Sequence, residues 1–307
     1  MFGSILAGLI EHQAVVFGSA GLLAALAVVG KGLRPPPRGY VARMAPAARH
    51  RAARPLILVA MLAGAGYAGY AYGRTDPISG VLIGMPEPTC GGTSKHLVLF
   101  LHGWRGDRAS SWREYPNLVC GDREINDVDV LSIGYPTYLI GNNLGMRDFS
   151  KWLADELVAN HIAHYDRIAI VAHSIGGLIA RGILLEQRQE LKNVGLLIEM
   201  ATPHTGPRDY AQLVRIGIAP GTRLVGELQE GSPYLTKLRA DWDALSARPD
   251  THCWWSSGDA LVTEQSAHDG CAATHVLPAF DHRELVKPDS RGDDRYRIPM
   301  SYVKTYM

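Results

Sequence analysis

What most constrains this chain is a succession of strand-length apolar runs separated by stretches of helical periodicity. HLVLFL (96–101), DVDVLSIGY (127–135), DRIAIVA (166–172) and VGLLIEM (194–200) are the clearest runs, and HCWWSS (252–257) and THVLPA (274–279) are shorter ones. MRDFSKWLADELVAN (146–160) and IGGLIARGILLEQRQEL (175–191) carry apolar residues at helical spacing. Several of the strand runs are apolar at consecutive rather than alternate positions, as expected of strands covered on both faces. Strands alternating with helices imply an α/β fold, with a mostly parallel sheet and right-handed crossovers. In such sheets ligands bind outside the carboxyl ends of the strands. Chemistry is therefore expected in the residues directly after each run.

The N-terminal quarter follows a different rule. Residues 14–30 and 55–73 contain no Asp, Glu, Lys or Arg, and each is about the length that crosses a ~30 Å hydrocarbon layer. Buried core helices are the alternative reading. A cleaved signal peptide would need a positive segment ahead of the first run, and only Glu11 and His12 stand there. The intervening residues 31–54 hold Lys31, Arg34, Arg38, Arg43, Arg49, Arg51 and Arg54 without an acidic residue. Short basic loops stay cytoplasmic. The expectation is a two-helix transmembrane hairpin within an anchor spanning 1–76, with transmembrane helices at about 14–30 and 55–73. Tyr67, Tyr70 and Tyr72 fall where an outer aromatic belt would lie. Small residues at four-residue spacing, Gly21 and Ala25 on one span and Ala60, Gly64 and Ala68 on the other, suit close helix packing, within the hairpin or in a homo-oligomer; they read equally well as filler. The expected location is a bacterial inner membrane, with 77–307 as a periplasmic, extracytoplasmic catalytic domain.

An oxidising compartment favours disulfides. Proximity in sequence pairs Cys90 with Cys120 and Cys253 with Cys271; free buried thiols are the other reading. The cysteine spacing fits no zinc template, no glycine-rich phosphate loop is present, and a net charge of +1 offers no general case for nucleic-acid binding. No metal and no cofactor are expected.

Within AHSIGG (172–177), Ser174 stands between a strand and a helix, the context that exposes a nucleophilic serine. The usual glycine two residues earlier is Ala172, which is still small, as a sharp turn bringing 172 near Gly176 would require. A helix-capping serine is the plainer reading. LHGWRGD (101–107) follows the first run, and its backbone can turn so that the Trp104 N–H points into a site; with the Ile175 N–H at the helix start, this makes a pair of oxyanion donors. Asp259 lies in the first turn after HCWWSS, and His282 lies in FDHRELVKP after THVLPA. Among rivals, Asp241 and Asp243 read as solvated helix charges, and Glu199 lies inside a strand as a buried partner or pocket residue. His173 would point away from Ser174, His268 and His275 read as surface or structural residues, and Asp281 is too near His282 in sequence to orient it.

Together LHGW, AHSIGG, ATPHTGP, GDALVTEQSA and HRELVKP resemble the serine α/β-hydrolases of the lipase/esterase type. They are most similar to the branch containing bacterial triacylglycerol lipases and the inositol-deacylase-like and SERAC-like lipid hydrolases. The resemblance covers roughly 95–290. It implies an α/β-hydrolase fold with Ser174 as nucleophile, Asp259 as acid and His282 as base, with Trp104 and Ile175 donating backbone hydrogen bonds and bordering the substrate pocket. It also implies that ATPHTGP (201–207) borders an acyl pocket, with His204 in its wall. Departures are Ala172 and the lack of a calcium-type acid cluster. Residues 208–250 fall where that family inserts lids; a plain packed helix is the other reading.

The function expected is hydrolysis of a carboxylic ester, lipid-derived because the domain is anchored beside a bilayer, through an acyl-enzyme. An acyltransferase or thioesterase on the same fold is the first alternative, and a non-catalytic anchored binding protein the second.

Overall fold

The structure is a computed structural model that describes residues 89–307, apart from 138–139, 141–143 and 219–220. The expected membrane spans and the basic loop between them lie outside the described residues. Among the described residues no helix is long and apolar enough to cross a membrane.

Six strands form one sheet: β1 (His96–Leu101), β2 (Val128–Ile133), β3 (Arg167–His173), β4 (Val194–Met200), β5 (Asp250–Ser256) and β6 (Ala273–Leu277). Their order is β2-β1-β3-β4-β5-β6, and every pair is parallel. The first four runs are buried almost without interruption, as the consecutive apolar residues require of strands covered on both faces.

Alternation along each strand splits the core into two layers. Leu97, Leu99 and Leu101 of β1 face one side with Ile168, Ile170 and Ala172 of β3. They pack there against α2 (Met146–Ala159), α3 (Ile175–Glu186) and α6 (Pro233–Ala244). Val98, Phe100, Ala169 and Val171 face the other side, with Trp112, Tyr115 of α1 (Tyr115–Cys120), and Tyr296, Met300 and Val303 of α7 (Asp294–Tyr306). Helix α2 buries Met146, Phe149, Leu153, Ala154 and Leu157, a helical stripe meeting the core. Its exposed face is charged.

Both expected disulfides are present, Cys90–Cys120 and Cys253–Cys271. The first ties the segment before β1 to the end of α1, and the second ties β5 to the turn before β6.

Residues 208–250 hold α4 (Tyr210–Arg215), α5 (Arg223–Leu228) and α6. Leu224, Val225, Leu228, Leu235, Leu238 and Trp242 are buried in the core. Asp241 and Asp243 lie on the outer face of α6, paired with Lys237 and Arg239 one turn earlier.

Chain order places β2 on one side of β1 and β3 on the other. The carboxyl ends of β1 and β3 therefore flank the point where the winding reverses, the crevice that doubly wound sheets use for ligands.

Candidate active site

Ser174 follows β3 directly and sits at the N-cap of α3 with φ 56° and ψ −131°. A non-glycine residue at positive φ is strained and is held only where its surroundings over-determine it. Three features hold this one. The Ser174 N–H donates to Met200 O at 2.9 Å. Gly103 is packed so closely that a Cβ there would lie 2.8 Å from Ser174 Cβ. Gly176 passes under the end of β1, where a Cβ would meet Leu101 O at 2.5 Å and His102 O at 2.6 Å. The small residue demanded after the serine is therefore set by the β1 backbone. Ala172, the residue expected to crowd Gly176, supplies none of the three nearest atoms.

His282 reaches Ser174 from the loop after β6. Its Nδ1–H donates to Asp259 Oδ2 at 2.8 Å, because a carboxylate can only accept; its Nε2 is then left to accept from Ser174 Oγ–H at 3.0 Å. Asp259 is itself fixed, its Oδ1 accepting the backbone N–H groups of Leu261 at 2.8 Å and Val262 at 2.9 Å. Burial opposes its charge, but the hydrogen bond and field of His282 and the two backbone donors outweigh burial and hold its pKa below the usual carboxylate value. Asp281, beside His282, caps its own turn by accepting from Arg283 N and Glu284 N.

Trp104 lies in the turn after β1. The next two N–H groups are taken, Arg105 N–H by Thr137 Oγ1 at 2.8 Å and Gly106 N–H by Gly103 O at 3.1 Å. The Trp104 N–H has no such partner among the described residues. Ile175 N–H, in the first turn of α3, belongs to the donors a helix leaves unpaired. His102 braces this loop as a neutral imidazole: Nδ1 donates to Gly103 O at 2.8 Å and Nε2 accepts from Tyr135 N–H at 3.1 Å. A cavity of about 430 Å³ opens over Ser174 and His282, with Trp104, Ile216 and Leu261 as apolar wall. That volume is in the range of small-ligand sites.

A sequence model of the alpha/beta hydrolase family matches residues 98–298. The chain belongs to the alpha/beta hydrolase family. Solved structures with a similar fold include a Bacillus licheniformis lipase in its mature form, 17% identical with TM-score 0.53, over 72% of this chain and 96% of that one. Lipase B of Aspergillus fumigatus is 14% identical with TM-score 0.54, over 69% of this chain and 55% of that one. An alpha/beta hydrolase enzyme from the metagenome of lagoon sediments at Mar Chica, Morocco, is 15% identical with TM-score 0.50, over 68% and 91%. At these identities the likeness is one of fold. No curated protein sequence matches the chain.

Two expected pocket residues of this alpha/beta hydrolase stand elsewhere. Ile175 is 3% exposed, and its side chain is packed in the core and not in the cavity wall. His204 is buried in a separate cluster, because the loop after β4 turns toward β5 and α3 rather than over the cavity. Its Nε2 accepts from Arg181 Nη2 at 3.2 Å. Burial, then the Arg181 charge, push its pKa well below the usual value. Arg181 also donates twice to Glu199, from Nε to Oε1 at 3.0 Å and from Nη2 to Oε2 at 2.6 Å. Glu199 is thus a buried ion-pair partner. Glu199, His204, Cys253 and Cys271 bring possible metal-donor atoms within 4.8 Å of one another. The Arg181 guanidinium already supplies positive charge there, and the two sulfurs are bonded to each other. A lone Arg in the uncharged helix IGGLIARGILL, followed by a lone Glu in the apolar strand VGLLIEM, was the sequence signal for this pair.

His173 lines the cavity but makes no hydrogen bond to Ser174 among the described contacts; its Nε2–H donates to the backbone carbonyl of His282 at 2.8 Å. It therefore holds the loop that carries His282. His268 and His275 are structural: His268 Nε2 donates to His275 O at 3.2 Å, and His275 stacks on Trp254 with ring centroids 4.2 Å apart.

Proposed function

We propose that this alpha/beta hydrolase cleaves carboxylic esters through an acyl-enzyme, with Ser174 as nucleophile, His282 as general base and acid, and Asp259 as the orienting carboxylate. The observation that carries the reading is the continuous Ser174–His282–Asp259 chain of hydrogen bonds, 3.0 and 2.8 Å long, ending on a strained serine at the mouth of a cavity. His282 Nε2 takes the hydroxyl proton as Ser174 Oγ attacks the ester carbonyl. Asp259 keeps the proton on Nδ1, so that Nε2 is the basic nitrogen, and it stabilises the imidazolium that forms. Negative charge developing on the carbonyl oxygen is met by the Trp104 and Ile175 N–H groups and by the positive end of α3. His282 then returns the proton to the leaving alkoxide. It next deprotonates a water that attacks the acyl carbon, releasing the acid and restoring the Ser174 hydroxyl. Each step uses only these groups and water.

The reading extends to location. Residues 1–76 anchor the chain as a transmembrane hairpin, the catalytic domain stands on the extracytoplasmic side, and the ester is lipid-derived. The uncharged spans, the acid-free basic loop between them and two disulfides beyond them support this part.

A fluorophosphonate probe should label the full-length protein on the peptide containing Ser174. Ser174→Ala should lose the label and lower kcat on a p-nitrophenyl ester on the order of 10^4–10^6-fold. Hydrolysis by that variant at the parent rate would overturn the chemistry. An alkaline phosphatase fused at the C-terminus should be active, and an inactive fusion would overturn the topology.

A further inference from the structure

The cavity over Ser174 is lined by Arg105, Arg283 and Lys287 and, among the described residues, by no Asp or Glu. Arg105 and Arg283 have no ion-pair partner among the described residues; some surface arginines such as Arg108 and Arg123 share this, but only these two stand on the cavity. Lys287, with a side chain only 14% exposed, is 3.2 Å from Glu284 Oε1, and Glu284 is shared with Arg113. The nearby acidic groups are turned to other work. Asp107 accepts from the backbone N–H groups of Ala109 and Ser110. Asp281 accepts from Arg283 N and Glu284 N, and Asp259 is committed to His282.

The positions of these cations tie them to the reacting centre. Arg105 follows the donor Trp104, and Arg283 follows His282, so the two stand on the loops that bracket Ser174. Gly217, at φ +84°, leaves room on the cavity wall that Arg105 fills, since a Cβ there would collide with the Arg105 guanidinium. A site for a neutral ester has no use for unpaired guanidinium groups at its mouth. In a low-dielectric cleft of one sign, cations concentrate anions and hold carboxylate or phosphate oxygens by charged hydrogen bonds.

We propose that the ester cleaved at this site carries an anionic group, a carboxylate or phosphate near the scissile carbonyl, held by Arg105 and Arg283 with Lys287 behind them. Trp104, Ile216 and Leu261 take the apolar part. The inference rests on the hydrolase reading above and adds the charge of the substrate to it. One shared chemistry admits two sources, the headgroup of an anionic phospholipid and a soluble carboxylated ester.

The test uses the full-length protein in neutral detergent at low ionic strength. One arm compares hexanoyl esters of 4-hydroxybenzoate, anionic, and of 4-hydroxybenzamide, neutral. The other compares dihexanoyl phosphatidylglycerol with dihexanoyl phosphatidylcholine. The anionic member of at least one pair should show a kcat/KM about tenfold higher, the scale of one charged hydrogen bond, and the preference should shrink as salt is added. The arm that shows it identifies the source. The double variant Arg105→Gln, Arg283→Gln should bring the ratio close to one, mainly through KM of the anionic ester. Arg248→Gln, on the exposed surface beside Asp243, should keep the ratio. Hydrolysis of all four esters without charge preference, or a ratio unmoved by the double variant, overturns the anionic substrate and leaves the hydrolase reading intact. Failure of every ester together with failure of Ser174 to label overturns both.

Discussion

Two imidazoles built into the site are buried without charge, and acidification should reveal them. Burial, then repulsion from His282, lower the His173 pKa to about 3 against the pull of the His282 carbonyl. Burial lowers that of His102 to about 4, against the pull of the Gly103 carbonyl and Asp107. In the unfolded chain both titrate near 6.5. The folded values are depressed, so between them and 6.5 the unfolded chain binds more protons, and stability falls as the pH falls through that window. Each unit is worth ~1.4 kcal/mol. Going from pH 6.5 to 4.5 leaves the folded His173 neutral and His102 mostly so and costs about 4 kcal/mol, a large share of the ~5–15 kcal/mol that holds a domain together. His204 acts in the same direction. Glu199 acts in the opposite one, since burial outweighs Arg181 and raises its pKa. A variant is therefore needed to isolate one group. His173→Gln keeps an N–H donor for the His282 carbonyl and removes the titration. Urea unfolding of the full-length protein, followed by tryptophan fluorescence at pH 7 and pH 4.5, should show an acid-induced loss about 2.5 kcal/mol smaller in the variant, with the denaturant slope unchanged. Equal losses in variant and parent would refute the buried neutral state of His173.

Asp259→Asn would present an amide N–H to His282 Nδ1 and force the proton to Nε2; kcat should fall about 10^4-fold with little change in thermal stability, measured by ester hydrolysis and a melting curve. Gly176→Ala puts a Cβ 2.5 Å from Leu101 O and should cost about 1–3 kcal/mol. By displacing the loop that carries Trp104 it should also lower kcat about 100-fold, and a variant with parent activity would show that the close approach is not needed. Replacing Cys90 and Cys120 together by Ala opens a loop of sequence separation 30 and should lower unfolding stability by about 3 kcal/mol under non-reducing conditions, with no difference from the parent once both are reduced.

The parts of this fold that could be read from sequence are those in which one physical rule acts alone. β1 and β4 occupy the residues of the runs HLVLFL and VGLLIEM because apolar runs this short, six and seven residues long, suit a strand covered on both faces and not a helix. Ser174, Asp259 and His282 could be named although 108 residues separate the first from the last, because each follows a strand of a parallel sheet and all such ends open on one crevice. Where several elements compete, the reading failed. Leu191 extended the apparent helix after Ser174, yet α3 ends at Glu186 and Leu191 anchors the following turn, with its carbonyl accepting from Val194 N at 3.1 Å. The loop that holds His204 suggests a place in the pocket, but the folded chain sets His204 against Arg181, whose charge is satisfied inside the core. A buried guanidinium left unpaired costs more than a loop can recover by facing solvent. Glu199, His204 and the neighbouring disulfide therefore gather around Arg181, and the cavity wall is left to Ile216 and Leu261. The same reasoning separates the two histidines beside the nucleophile in space. His173, next to Ser174 in sequence, is buried too deeply to gain a proton, so it serves as a fixed donor to the His282 backbone. His282, far away in sequence, has a carboxylate on Nδ1 and the serine hydroxyl on Nε2. Of the two rings, only that of His282 has a carboxylate facing one nitrogen and a serine hydroxyl facing the other, the arrangement the proposed base requires.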